Sequence, residues 1–369
     1  MSRTPLHVAP TLLLLAACLL AACAGGSSTP AVRPDGAPSV QTTARTSIQA
    51  PRAADVERVR GLLSALSDDS LEGRGTGTRG SARAARLIAL RMREAGLEPG
   101  GDSGYFQRVP MALGATRRGT GPTLAASFAA LDTVPAERRL AGVNVVGVLR
   151  GSDPALRDEV VLVDAHYDHL GVGAPETRAG VADSIYNGAD DDASGTVAVL
   201  EIARALGRGP RPGRTVVFLA TTGEEVGLLG TRWYIAHPVL PLERTVANLE
   251  IEMIGRPDSL AGGPGRGWLT GYGRSTMGDA LAANGIPIVA DPYPDQHFFE
   301  RSDNIAFARR GIPAHTLSSY DLHADYHTPF DDAARADPAH MAGVISAATR
   351  AVRLLADGPK PEWKEGGRP

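Results

Sequence analysis

From Asn144 onward, short apolar runs alternate with longer stretches whose apolar residues recur at helical spacing. The runs are "NVVGVL", "EVVLVDA", "RTVVFLATT", "TVANLEIEMI" and "IPAHTLSS", which predict strands. Among them lie "SGTVAVLEIARAL" and "VGLLGTRWYIA", which predict helices, and "PAHMAGVISAATRAVRLLA" predicts the last one. Upstream, "ADVERVRGLLSAL" and "RGSARAARLIALRMREAG" predict two more, the second stopped by Gly96. The mixed strand and loop that follows, to about Ala141, is too short for a separate domain of the usual size. Strands alternating with helices define an α/β class. The expected architecture is a three-layer α/β/α sandwich around a mixed, mainly parallel sheet, in one domain over residues 55–358.

The N-terminus has a different pattern. "TLLLLAACLLAAC" is too short and too rich in alanine for a membrane span and suits a signal-peptide core. Both cysteines of the chain lie in it. Leu20-Ala21-Ala22-Cys23 resembles a bacterial lipobox, and Leu15-Ala16-Ala17-Cys18 matches almost as well. A flexible stretch rich in Gly, Ser, Thr, Pro and Ala follows Cys23. The expectation is a lipoprotein signal peptide over residues 1–22, a tether over 23–54, and a lipid anchor at Cys23. Ala24 after that cysteine points to the periplasmic face of an outer membrane. The mature chain has no cysteine pair to staple it. The end of the chain, residues 359–369, reads as a frayed tail. A formal net charge of -3 without a basic excess argues against a nucleic-acid partner. "GTGTRG", Gly75 to Gly80, fits a dinucleotide fingerprint by letter, but a polar loop and not a strand precedes it. A loop capping the next helix is the better reading.

In open α/β sheets, functional groups collect beyond the carboxyl ends of the strands. After "EVVLV" come Asp164, His166, Asp168 and His169; after "TVVFLATT" come Glu224 and Glu225. Glu250 and Glu252 end "TVANLEI", and His323, Asp325, Tyr326 and His327 follow "IPAHTL" after a loop. The turn Asp190-Asp191-Asp192 opens a helix. Each has an ordinary reading: a structural histidine, a helix start favoured by the dipole, an N-cap. Together they respect strand ends too consistently for a random scatter. Converging carboxylates repel and raise one another's pKa unless cations neutralise them. Imidazole and carboxylate without thiolate suit zinc, with manganese or cobalt as substitutes. Two histidines and three carboxylates, one bridging, would hold two metals about 3.5–4 Å apart.

"DAHYDH", "NGADDDASG", "TTGEEVGLLG", "EIEMIGR", "RSDNIAFARRGIP" and "DYHTPFDD" resemble, in order and spacing, the di-zinc aminopeptidases of metallopeptidase family twenty-eight. The resemblance runs from about Asp55 to Ala356. It implies a zinc exopeptidase-like fold with two Zn2+ per chain. By position, His166 and Glu252 bind one zinc, Glu225 and His327 the other, and Asp191 bridges both. Asp168 would stand behind His166 and fix its tautomer. Glu224 would be the general base, and Tyr326 would stabilise the developing oxyanion. A cis peptide would join Asp191 to Asp192, and Asp192 would cap the helix starting near Ser194. Many members have aspartate where Glu252 stands, so Glu250, two residues earlier, is the fallback ligand. Asn304 replaces a histidine of many members and inherits no metal role.

The signal-like N-terminus and the resemblance together give the expectation of an exported aminopeptidase acting on peptide substrates. A carboxypeptidase or dipeptidase of the same fold remains open, as does a glutaminyl-peptide cyclotransferase that needs one metal. A binding module that lost its chemistry is the remaining alternative, and the filled ligand positions argue against it.

Overall fold

The computed structural model describes residues 54–117 and 119–369. The expected signal peptide (1–22), the tether except its last residue, and Cys18 and Cys23 lie outside the described residues.

The strands are β1 (Glu98–Pro99), β2 (Phe106–Thr116), β3 (Gly119–Leu124), β4 (Arg139–Leu149), β5 (Val160–His166), β6 (Gly171–Arg178), β7 (Val181–Tyr186), β8 (Thr215–Thr221), β9 (Thr245–Ile251), β10 (Gly267–Leu269), β11 (Ile288–Ala290) and β12 (Ala314–Ser318). The helices are α1 (Val56–Leu66), α2 (Arg79–Glu94), α3 (Phe128–Asp132), α4 (Gly195–Arg208), α5 (Leu229–Ala236), α6 (Thr276–Ala283), α7 (Asn304–Ala308) and α8 (Pro338–Asp357). Side chains set several of their starts. Asp55 accepts from Glu57 N and Arg58 N at the head of α1, and Asp337 from Ala339 N and His340 N at the head of α8. Thr78, in the glycine-rich loop, caps α2 through Ser81 N.

One sheet of ten strands runs β11-β10-β12-β9-β5-β8-β4-β2-β3, with β1 paired to β4. Its centre, β12-β9-β5-β8, is parallel, as is the β10–β11 pair. The β8–β4–β2–β3 side is antiparallel throughout, so the sheet is mixed and its parallel part is the middle. Alternation along the central strands explains the layers. Val161, Val163 and Ala165 of β5 face a core shared with α1, α2, α4 and α8. Val160 and Leu162 face a second core shared with α5 and α7. Both faces are covered, which is why these strands read as continuous apolar runs.

The parallel centre matters for function. The carboxyl ends of β5, β8, β9 and β12 point to the same edge of the sheet, and the segments after them carry the polar residues singled out from the sequence.

The expected frayed tail is corrected. Residues 359–369 pack on the domain: Trp363 Nε1 donates to Gly311 O at 2.9 Å, Glu362 N to Thr276 Oγ1 at 3.0 Å, and Lys364 pairs with Asp279 at 2.7 Å. Trp363 also meets the Phe299 and His315 rings edge-on and tilted. A polar, proline-containing composition concealed these contacts.

Candidate metal centre

The bridging position begins with a tight turn. Gly188 has φ 52°, and a Cβ there would lie 2.1 Å from Asp191 O and 2.5 Å from the His169 ring. The turn then runs through a cis peptide between Asp191 and Asp192, as the resemblance implies. Asp331 holds it from one side, its carboxylate accepting from Asp190 N and Asp191 N at 3.0 Å. Asp192 does cap the next helix: Oδ1 accepts from Gly195 N at 2.9 Å and also from Met253 N at 3.1 Å. Asp190 is not idle. Its Oδ1 accepts from Gly255 N at 2.6 Å, and its Oδ2 lies 2.9 Å from His323 Nε2.

Two donor groups meet at Asp191. In one, His166, Asp191 and Glu252 offer atoms within 4.8 Å of one another; in the other, His169, Asp191, Glu225 and His327 do. Asp191 gives one oxygen to each. Oδ1 lies 3.2 Å from His166 Nε2, and Oδ2 lies 3.1 Å from His327 Nε2. His327 Nε2 is also 3.1 Å from Glu225 Oε2, and His166 Nε2 is 3.9 Å from Glu252 Oε1. His166 Nε2 and Asp191 Oδ1 are buried and lack a hydrogen-bond partner despite this approach. Buried polar atoms without partners are costly, so lone pairs converging without bonding each other fit a cation between them. His–carboxylate donors without sulfur suit zinc. Burial opposes ionisation of Asp191, but His166, His169 and His327 outweigh it and hold the carboxyl well below its usual range.

All eight residues carried over from the sequence lie at this site, with one change of role. His166 Nδ1 is 3.1 Å from the backbone oxygen of Asp168, so a carbonyl, not the Asp168 carboxylate, orients the imidazole and frees Nε2. The carboxylate faces elsewhere: Oδ2 accepts from Thr76 Oγ1 at 2.7 Å and Oδ1 from Glu224 N at 3.2 Å. Burial pushes the Asp168 carboxyl up to about 6, against the pull of His166. Glu252, not the fallback Glu250, joins His166. Glu250 is sealed below, accepting from Ser302 Oγ, Asp303 N, Asn304 N and Thr316 Oγ1.

Glu224 and Tyr326 line a partly open cleft beside these groups. Burial holds the Glu224 carboxyl well above its usual range; His166 opposes, while Glu252 and Asp303 add to the rise. Tyr326 stacks on His327 with centroids 3.9 Å apart. Burial, then the nearby Asp191 and Glu252 carboxylates, keep its phenol protonated.

Sequence reasoning left three contributors without a role. His169 Nδ1 lies 2.7 Å from Glu225 Oε1 and 3.8 Å from Asp191 Oδ2, inside the second group. Its position in "AHYDH" was the available signal. Thr76 braces Asp168 from the glycine-rich loop. Arg74, 1% exposed, donates to the carbonyls of Tyr167, Leu66, Asn187 and Gly188. It thus ties the strand-end segment of His166 to the turn of Asp191.

An α/β sandwich that gathers two His–carboxylate groups around one shared aspartate defines a metal-dependent hydrolase framework. The profile of Peptidase family M28 matches residues 144–352, and the chain belongs to this peptidase family. The vacuolar membrane protease of Tuber melanosporum is 27% identical over 229 residues, covering 58% of this chain and 21% of that protein. The probable leucine aminopeptidase 2 of Aspergillus oryzae is 30% identical over 176 residues, 46% of this chain and 32% of that protein. The chain therefore spans well under half the length of these relatives. In fold, it is similar to a zinc aminopeptidase from Bacillus subtilis: TM-score 0.60, 18% identity, covering 84% of this chain and 96% of that one. The aminopeptidase from Aneurinibacillus sp. strain AM-1 gives 0.58 and 16%, covering 85% and 96%.

The expected periplasmic lipoprotein is corrected by these relatives. Several of the matching curated proteins are fungal and named for a vacuolar membrane, which points away from a bacterial periplasm. The lipobox pattern is four residues long, and an apolar run of leucine, alanine and cysteine supplies it twice by composition alone.

Proposed function

We propose that the chain is a zinc-dependent aminopeptidase that removes N-terminal residues from peptides, with two metal ions per chain. The observation that supports this best is Asp191, whose two carboxylate oxygens each belong to a different donor group. His166 and Glu252 would complete one ion's ligands, and Glu225 and His327 the other's, with His169 against Glu225. When bound, the ions supply Lewis-acid activation of water and of the scissile carbonyl. Glu224 takes a proton from the attacking water and passes it to the leaving amine. Its raised affinity for protons, in a partly closed cleft, suits both transfers. Tyr326 donates its hydroxyl hydrogen to the oxyanion that develops, its ring held in place by His327.

The test is release of nitroaniline from aminoacyl-nitroanilides and of N-terminal residues from short peptides, with and without chelator. Glu224→Gln should lower kcat by about 10²- to 10⁴-fold, the usual worth of a positioned acid–base group. Full activity in that variant, or activity indifferent to zinc removal, refutes the mechanism. Cleavage that persists on N-acetylated peptides refutes the aminopeptidase reading in favour of the opposite chain end.

A further inference from the structure

The cleft has walls of two kinds. One carries Asp191, Glu224, Glu225 and Glu252, the carboxylates of the metal centre. The other carries Trp268, Phe298 and Tyr320, with Arg301 as the one cation among the lining residues. Trp268 and Phe298 lie 5.3 Å apart and tilted, and Tyr320 meets Phe298 edge-on at 6.0 Å.

The aliphatic hydroxyls of this region are committed. Thr316 Oγ1 donates to Glu250 at 2.7 Å, Ser318 Oγ to Met253 O at 3.1 Å, and Thr270 Oγ1 accepts from Thr316 N at 2.9 Å. The remaining polar groups on this side are donors. Trp268 is 1% exposed, and its indole N–H has no hydrogen-bond partner. Burial pushes the Tyr320 phenol up to about 12, so it keeps its hydrogen. Among the described residues, Arg301 makes no side-chain hydrogen bond and no ion pair; its guanidinium lies 5.0 Å from the centre of the Phe298 ring. Stacking on an aromatic face orients the planar fork without using its N–H groups. A guanidinium paired with no carboxylate leaves those N–H groups available to a visitor.

We propose that Arg301 binds a carboxylate of the substrate in this cleft. The inference rests on the aminopeptidase reading and adds a substrate class to it. A guanidinium fork matches a carboxylate in two parallel hydrogen bonds, and no carboxylate on this wall competes for it. Two parts of a peptide carry that group: the side chain of an acidic N-terminal residue, and the C-terminus of a peptide short enough to lie within the cleft.

Four substrates separate the cases: glutamyl-nitroanilide, leucyl-nitroanilide, the dipeptide Leu-Gly, and its C-terminal amide. Each is measured as kcat/KM on the zinc-loaded protein and on Arg301→Gln, a change at an exposed position. A carboxylate-bearing substrate should lose about 10- to 100-fold, the size of a charge-assisted hydrogen bond. Leucyl-nitroanilide and the dipeptide amide should change by less than about twofold, since neither offers a carboxylate to the fork. A selective loss on glutamyl-nitroanilide assigns the side chain, and one on Leu-Gly assigns the C-terminus. Equal losses on all four, or none on any, overturn the inference and leave the aminopeptidase standing. If the unaltered protein hydrolyses none of the four, the aminopeptidase reading falls and this inference falls with it.

Discussion

Asp191→Asn separates a shared metal ligand from an ordinary buried acid. The side chain is 2% exposed, with one oxygen 3.2 Å from His166 and the other 3.1 Å from His327. The amide keeps the shape and leaves the backbone hydrogen bond to Asp331 in place. It removes the only carboxylate common to both donor groups. A four-ligand zinc site contributes about 10–16 kcal/mol. One ligand in four is then worth about 3–4 kcal/mol, or about 100- to 1000-fold in affinity, at each position. The assay is zinc competition against a calibrated chelator, with metal content after dialysis and thermal melting of both forms. Zinc should raise the melting temperature of the unaltered protein far more than that of the variant. Asp190→Asn is the control one residue away. Its amide keeps a carbonyl for Gly255 N and can still face His323, so zinc affinity should fall by about tenfold at most. Two ions retained at unaltered affinity in Asp191→Asn would refute the bridge. An equal loss in both variants would refute the register.

Two further perturbations probe parts remote from the ligands. Arg74→Lys keeps a buried charge but cannot reach four separate carbonyls, so zinc affinity should drop about 10- to 100-fold while the chain stays folded by circular dichroism; unchanged affinity would reduce Arg74 to a packing role. His315 is buried between Thr270 O and Ser275 Oγ, each 2.7 Å from a ring nitrogen, and burial pulls its pKa down to about 4. The folded state therefore resists protonation while the unfolded chain accepts it from about pH 6.5 downward. Stability is complete above that pH and is lost as pH falls toward 4, by on the order of 3 kcal/mol. Unfolding midpoints of metal-free protein across that range should slope less in His315→Gln, and an unchanged slope would assign the acid sensitivity to other groups.

What could be read from the chain and what could not divides along a physical line. His166, Glu224, Glu225 and Glu252 were legible because each breaks an apolar strand pattern at its carboxyl end, where a parallel sheet exposes side chains at one edge. The core of β5, β8 and β9 was legible for the complementary reason: burial on both faces leaves runs with few polar interruptions. The β2–β3 hairpin was not, since β3 is exposed or half-buried throughout and half of its residues are glycine or proline. Asp168 shows a finer limit. Spacing put it beside His166 correctly, but spacing does not say whether a residue contributes its side chain or its carbonyl, and here it contributes both to different partners. Arg74 shows the largest. Its hydrogen bonds go to backbone carbonyls, which carry no sequence signature, and they reach from position 74 to positions 167 and 188. Beside Asp68, Asp69 and Glu72 in sequence, Arg74 reads as part of a charged surface loop. Only when folding brings Asp168, Asp191, Asp192 and Asp331 around it does a fully buried guanidinium acquire compensating charge. The acids of this site therefore serve two kinds of cation: the metal ions their lone pairs would hold, and the arginine that keeps their loops in register.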